Sequence, residues 1–217
     1  MKRVLEPEVM DTPDEANHYD AMDNSAPNRA FVERLVELKA SGSMLDIGCG
    51  PGHIPLLVCE CLPEARVVGI DLSENMLRHA HRRLAASPFG ERIDYRLGNA
   101  TALDFPNAAF DSVFSNTILH HLPDPESLLR EAARLLRPGG TLLIRDLFRP
   151  ESPERVAELV QEHAAQETAT NRELFRASLC AALSPEELRR TADAAGLELA
   201  ELTIDSDRHM SLQIAAT

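Results

Sequence analysis

Leu45-Asp46-Ile47-Gly48-Cys49-Gly50-Pro51-Gly52 is followed, 19 residues beyond Gly52, by the acid that ends Arg66-Val67-Val68-Gly69-Ile70-Asp71. Two short apolar runs each carry an acid at or near their end, and the first empties into a glycine-rich turn ahead of a helix-like stretch. Glycine permits the tight turn and lets a ligand approach the backbone. An acid after the second strand accepts hydrogen bonds from a ribose diol. Together the two stretches mark a site for a cofactor that carries a nucleoside.

Outward from that turn, sheet and helix signals alternate. Residues 44–47, 66–70, 92–97, 110–115 and 141–147 read as strands, and 54–62, 74–85 and 124–136 as helices. Leu77, Ala80 and Leu84 share one apolar helical face, as do Leu128, Ala132 and Leu135. Asp124 followed by Pro125 makes a helix entry in which the acid caps free amides. Strands separated by helices of this length give a mainly parallel sheet covered on both sides, with ligands beyond the carboxyl ends of its strands.

The flanks differ in character. Residues 1–24 hold seven acids and little apolar periodicity, which fits either a disordered segment or an arm ordered by ligand. From Asn28 to Ala40, Phe31, Leu35 and Leu38 form a helical face that Ser41-Gly42 stops; the preceding Tyr19 and Asp20 are candidates to reach the site. Residues 149–184 are longer and more polar than a simple connector. Val156, Val160, His163 and Glu167 make a face that is not wholly apolar, and a second helical piece runs from Asn171 to Ala182. This stretch is a candidate substrate cap, with plain external packing as the competing reading. Ser184 caps a further helix, and 197–204 and 209–215 read as a terminal antiparallel pair. The expected division is an arm and helix over 1–41 and a cofactor-binding domain over 42–217.

Composition narrows the partners. The 217 residues include 22 Lys and Arg against 35 Asp and Glu, a formal charge of −13 that repels a phosphate backbone, so bulk nucleic acid is not an expected partner. Four cysteines, at 49, 59, 61 and 180, form no Cys-x-x-Cys pair, and no metal cluster stands at familiar spacing, so no metal is expected. The start lacks a long apolar core and no run reaches membrane-spanning length, which makes a reduced cytoplasmic setting the expectation. Oligomeric state stays open.

Several ordered features now resemble the class I S-adenosylmethionine-dependent methyltransferases, in their small-molecule branch. These are the 45–52 turn, Gly69-Ile70-Asp71-Leu72-Ser73, Gly98-Asn99-Ala100, Leu103-Asp104-Phe105-Pro106-Asn107, Phe110-Asp111 before a hydrophobic strand, and Leu136-Arg137-Pro138-Gly139-Gly140. The resemblance covers roughly residues 42–148 and implies a three-layer Rossmann-like α/β fold, its mainly parallel sheet ending in an antiparallel strand. It also implies S-adenosylmethionine as cofactor and S-adenosylhomocysteine as product. By that resemblance Asp46, Gly48, Gly50 and Gly52 shape the methionine and ribose end, and Asp71 holds the ribose hydroxyls. Leu72 and Met76 pack near adenine, Asn99 and Ala100 border its edge, and Asn116 lines the wall near the amino-acid portion. Family members often carry aspartate where Asn99 stands; its amide still offers both a donor and an acceptor.

Methyl transfer needs a nucleophile aligned behind the methyl group, and a base only when the acceptor must lose a proton. His120 and His121, near the expected catalytic edge, titrate near neutrality and are candidates for that role, with wall packing as the alternative. Arg145 and Asp146 end a strand whose alternation sends them to opposite sides, so Asp146 joins the catalytic candidates without Arg145 as its partner. Candidates for substrate contact are Tyr19, Arg145, Arg149, Asn171, Arg172, Arg176, Ser178 and His209. The expected reaction is methyl transfer to an oxygen, nitrogen or sulfur nucleophile of a small molecule, with carbon left open. A non-catalytic cofactor-binding regulatory or scaffold protein is one alternative. A nicotinamide-dependent oxidoreductase is the other, because Asp71 suits that cofactor too, although the turn lacks the full Gly-x-Gly-x-x-Gly order.

Overall fold

Neighbouring residues of each central strand go to different cores, and this builds the layers of the protein. In the computed structural model, which describes residues 1–6, 12–20 and 22–217, Met44, Phe114 and Leu143 are buried with Phe31, Leu35, Val58 and Ala80. Their chain neighbours Leu45, Val113 and Leu142 are buried on the other face with Leu128, Leu135, Leu188 and Leu212. A strand whose side chains alternate between two apolar faces must lie between two helical layers.

The chain runs α1 (Pro13–Asp20), α2 (Ser25–Glu37), β1 (Ser43–Ile47), α3 (His53–Cys61), β2 (Arg66–Asp71), α4 (Glu74–Ala85), β3 (Ile93–Leu97) and β4 (Phe110–Asn116). A 3-10 turn (Leu119–His121) leads to α5 (Pro125–Leu135), β5 (Leu136–Leu147), α6 (Pro153–Ala164), α7 (Ala169–Ala181), α8 (Pro185–Ala194), β6 (Glu201–Ile204) and β7 (His209–Ile214). The sheet order is β3-β2-β1-β4-β5-β7-β6. Strands β1 to β5 pair in parallel, and β7 lies antiparallel to both β5 and β6. This is the mainly parallel sheet with reversed last strand that the sequence implies. The order reverses between β1 and β4, so the crevice for a ligand opens beyond the carboxyl ends of those strands.

Three local expectations change. β5 begins at Leu136 rather than 141, because Phe110 pairs with Leu136 across a register shift and Gly140 lies against the Asp111 carbonyl, where a Cβ would come within 2.5 Å. β6 begins at Glu201 rather than 197: the Arg189 guanidinium binds the carbonyls of Leu197 (2.9 Å) and Ala200 (2.5 Å), which holds that stretch as a turn. Asp124 stands at the entry of α5 but caps no amide; its carboxylate accepts from the Ser127 hydroxyl instead. Ser184 does cap α8, in a reciprocal box with Glu187.

The 149–184 stretch has a small core of its own, in which Val156, Leu159 and Val160 of α6 meet Leu179 of α7 and Leu147 of β5. The amino terminus straps this unit to the sheet. The Arg3 guanidinium donates to the carbonyls of Ala181 (2.6 Å) and Leu122 (2.9 Å), and the Val4 amide to Cys180 (3.1 Å). The 7–11 part of the acidic arm and residue 21 lie outside the described residues.

Phe114 is fully buried, with its ring 6.1 Å from that of Phe31. Phe114→Ala is expected to cost about 3–5 kcal/mol in urea unfolding, whereas Val36→Ala at an exposed position of α2 changes stability by less than about 0.5 kcal/mol.

Candidate active site

The turn after β1 is three left-handed glycines wide. Gly48, Gly50 and Gly52 have φ of +78°, +53° and +83°, where a side chain is strained. Two of them are also hemmed in: a Cβ on Gly48 would meet Ile118 at 2.6 Å, and one on Gly52 would meet the Tyr95 hydroxyl at 2.5 Å. A Cβ on Gly50 would meet nothing within 4 Å among the described residues, so this glycine borders open space there. The amides of Gly48 and Cys49 both donate to the Ile70 carbonyl, which hangs the turn on the end of β2.

Two acids flank that space. Asp71 accepts from the Gly50 amide (2.7 Å) and the Ser73 amide (2.9 Å), so it shapes the glycine turn and the entry of α4 at once. Asp46 is 1% exposed, and its Oδ2 has no hydrogen-bond partner among the described residues. Burial, reinforced by the negative charge of Asp71, pushes its carboxyl well above the usual range. A buried orphan acceptor beside an open glycine cradle suits a ligand that brings a donor or a positive charge. An S-adenosylmethionine amino-acid group with its ammonium and sulfonium answers that description, so the residues fit the cofactor the sequence implies.

The remaining cofactor candidates stand around this turn. Met76 is buried one turn into α4, whose first amides Ser73 caps, while Leu72 is 58% exposed. Asn99 is exposed, and its side-chain oxygen accepts from the Thr101 amide (3.0 Å) and hydroxyl (2.9 Å), with Ala100 half-buried beside it. Asn116 ends β4, half-buried, and Thr117 after it takes a left-handed φ of +58°. The Tyr19 hydroxyl of α1 pairs with the Thr117 side chain, and burial raises its pKa. Asp20 fastens the same helix by pairing with Arg83, with His79 (2.8 Å) and with His53 (3.6 Å).

The catalytic candidates meet at one place. The His120 Nδ1 lies 2.6 Å from an Asp146 carboxylate oxygen, and the His120 amide donates to the other. Both side chains are buried. Burial works against charge on either, yet their mutual attraction and hydrogen bond prevail, so His120 is raised and Asp146 lowered from ordinary values. The His121 ring lies over that of His120, centroids 4.0 Å apart, and its Nδ1 pairs with Glu6. Burial opposes charge on Glu6, but His121 and the Ser178 hydroxyl (2.6 Å) hold its carboxyl down at about 2. Sequence reading did not single out Glu6 or Arg3. Only their charge distinguishes them, and their contacts span more than a hundred residues.

The substrate candidates scatter. Arg145 points away from Asp146, onto Asp205 (3.1 Å) and the Phe31 ring (5.3 Å). Arg149 is buried as an anchor, binding Met1, Ala182 and Glu187. Asn171 donates to Glu167, Arg172 binds the Glu167 carbonyl, and Arg176 pairs with Glu173 at 3.5 Å; both arginines border the α6–α7 groove rather than the glycine turn. His209 pairs with Ser206, and burial with the charges of Arg208 and Arg145 pushes it down to about 4. Ser178 alone of the α7 candidates reaches the histidine cluster.

Residues 45–144 match the family model described as a methyltransferase domain. Over that stretch the chain is similar to methyltransferases, and its fold is similar to that of solved S-adenosylmethionine-dependent ones. It is 37% identical over 131 residues to the 27-O-demethylrifamycin SV methyltransferase of Amycolatopsis mediterranei, covering 59% of this chain and 48% of that protein. It is 34% identical over 143 residues to the demethylmenaquinone methyltransferase of Symbiobacterium thermophilum, covering 62% and 57%. The fold is similar to that of a Haemonchus contortus phosphoethanolamine N-methyltransferase 2 in complex with phosphomonomethylethanolamine and S-adenosylhomocysteine, at TM-score 0.70 and 24% identity over 88% of this chain and 44% of the other. The chain spans about half the length of the curated relatives it matches. Among the described residues no helix is long and apolar enough to cross a membrane.

A native carboxyl raised above its ordinary 3.8 keeps its proton where the unfolded chain loses it, so stability declines as pH rises from that value toward the raised one. Asp46→Asn removes this penalty. The variant is expected to melt above the wild type at pH 7.5, with the difference closing by pH 4; equal melting at both values would show that the Asp46 charge is not costly.

Proposed function

We propose that this chain transfers a methyl group from S-adenosylmethionine to a small-molecule nucleophile and releases S-adenosylhomocysteine. One observation carries the reading: Asp46, two residues before the glycine turn, has a buried oxygen with no partner among the described residues, and Asp71 on the adjoining strand holds the amide of Gly50, whose Cβ side is open. Asp46 and the glycine turn would hold the amino-acid end, and Asp71 the ribose. Met76, Leu72, Asn99 and Ala100 would border the adenine, and Asn116 the methionine side. The cofactor, once bound, supplies an electrophilic methyl group on a sulfonium.

The acceptor would meet the His120–His121 edge. Asp146 fixes the His120 ring and its tautomer, so that edge is rigid before substrate arrives. Residues 149–184 and the terminal strap, joined through Ser178 and Glu6, would form the acceptor side of the pocket. The relatives' names give a rifamycin, a demethylmenaquinone and a phosphoethanolamine as acceptors, three unlike molecules. What they share is methyl transfer; the acceptor class proposed here is an oxygen, nitrogen or sulfur nucleophile, with carbon left open.

Incubation with methyl-labelled cofactor and fractionated cell metabolites, read by mass spectrometry, is expected to yield one labelled product. In calorimetry Asp71→Ala should weaken S-adenosylhomocysteine binding roughly 10–100-fold, through loss of the ribose bonds and of the tie to Gly50. Cofactor binding without any labelled product across the fractions would favour a non-catalytic protein, and unchanged affinity in Asp71→Ala would remove the ribose assignment.

A further inference from the structure

We propose that Glu6, His120 and His121 form a binding site for one divalent first-row transition-metal ion. One ring nitrogen of each histidine and one carboxylate oxygen of Glu6 lie within 4.8 Å of one another, and the group is largely shielded from solvent. Two imidazoles and a carboxylate suit zinc, iron(II), manganese, cobalt or nickel better than magnesium or calcium, which favour all-oxygen shells. Three protein ligands leave coordination positions for water or an oxygen-bearing ligand.

The surroundings are those of a built site. Metal-binding histidines characteristically give their other ring nitrogen to a carboxylate, and metal-binding carboxylates are themselves hydrogen-bonded. His120 has Asp146 on its Nδ1 at 2.6 Å, and Glu6 has the Ser178 hydroxyl on its Oε1 at 2.6 Å. Glu6 lies near the amino terminus and the two histidines near the middle of the chain, yet none is left to chance. Arg3 binds the carbonyls of His120 and Leu122, which ties the strap carrying Glu6 to the turn carrying both histidines. Arg149 secures the same strap at Met1. Glu6 and Asp146 bring two negative charges to the cluster against the one positive charge of Arg3, which leaves a net negative site for a dication. The contact between Glu6 and His121 would give way to the ion as it enters.

A second His-carboxylate cluster, Glu162, His163 and Asp207, also meets the distance condition, but its members are exposed and Arg155 and Arg208 neutralise it. It serves as the internal control. The ion would stand at the acceptor edge, so any part it plays in methyl transfer rests on the function proposed above; its binding does not.

Full-length protein stripped with a chelator is titrated by calorimetry with ZnCl2, and separately with MnCl2. One ion per chain is expected. His121→Ala and Glu6→Gln should each weaken binding about 100-fold or more, and Asp146→Asn about 10–100-fold, while His163→Ala leaves it unchanged. Melting curves and an S-adenosylhomocysteine titration accompany each variant. His121 is partly exposed and Glu6 lies on the terminal strap, so one of these two should stay folded even if Asp146→Asn does not. Absence of binding, or binding that survives both His121→Ala and Glu6→Gln, overturns the site. Product binding without ion binding would remove the metal site alone; ion binding without product binding would remove the methyl-transfer reading alone.

Discussion

The buried carboxylate of Asp46 is the constraint around which the rest is arranged. It lies one residue before the end of a central strand inside two apolar layers, where an ionised group costs free energy unless a partner compensates it. Its neighbour Asp71 adds repulsion rather than relief. A fold that retains such a pair spends stability on it, and the glycine turn between the two acids shows where compensation would come from. Gly48 and Gly52 are required by their neighbours, but Gly50 faces space.

Strand alternation then divides the labour at the far side of the crevice. In β5, Asp146 turns toward the turn after β4 and locks His120, while Arg145 goes to the other face and joins Phe31 and Asp205. The same rule sends Leu142 and Leu143 to separate cores. A single extended segment therefore supplies the anchor of His120, an ion pair and residues of both apolar layers. The histidine edge adds a contribution from the amino terminus, because Arg3 and Arg149 draw Glu6 into it across the 149–184 unit.

The parts of this arrangement that depend on local pattern were legible in the sequence. Period and spacing locate the five parallel strands and their helices within a few residues, since alternation and helical faces are short-range consequences of burial. The glycine turn and Asp71 are readable for the same reason. The start of β5 was not, because a register shift against Phe110 decides it. Asp124 was expected to cap a helix, yet the hydroxyl of Ser127 competes successfully for its carboxylate. At the site, the opposite orientations of Arg145 and Asp146 followed from the strand, whereas the role of Glu6 did not. It is set by contacts with residues 121 and 178, and no local signal encodes them. Arg149 shows the converse: an arginine beside a crevice looks like a substrate contact until its bonds to Met1, Ala182 and Glu187 are seen.

The most direct test of the central claim is calorimetric titration of S-adenosylhomocysteine into the wild-type protein and into Gly50→Ala. A methyl group at that position meets no atom of the described residues within 4 Å, so the variant should lose only the about 1–2 kcal/mol of a left-handed alanine and stay folded. The account predicts one-to-one binding to the wild type and its loss in the variant. Equal affinity in the two proteins, or no binding to the wild type, would contradict it.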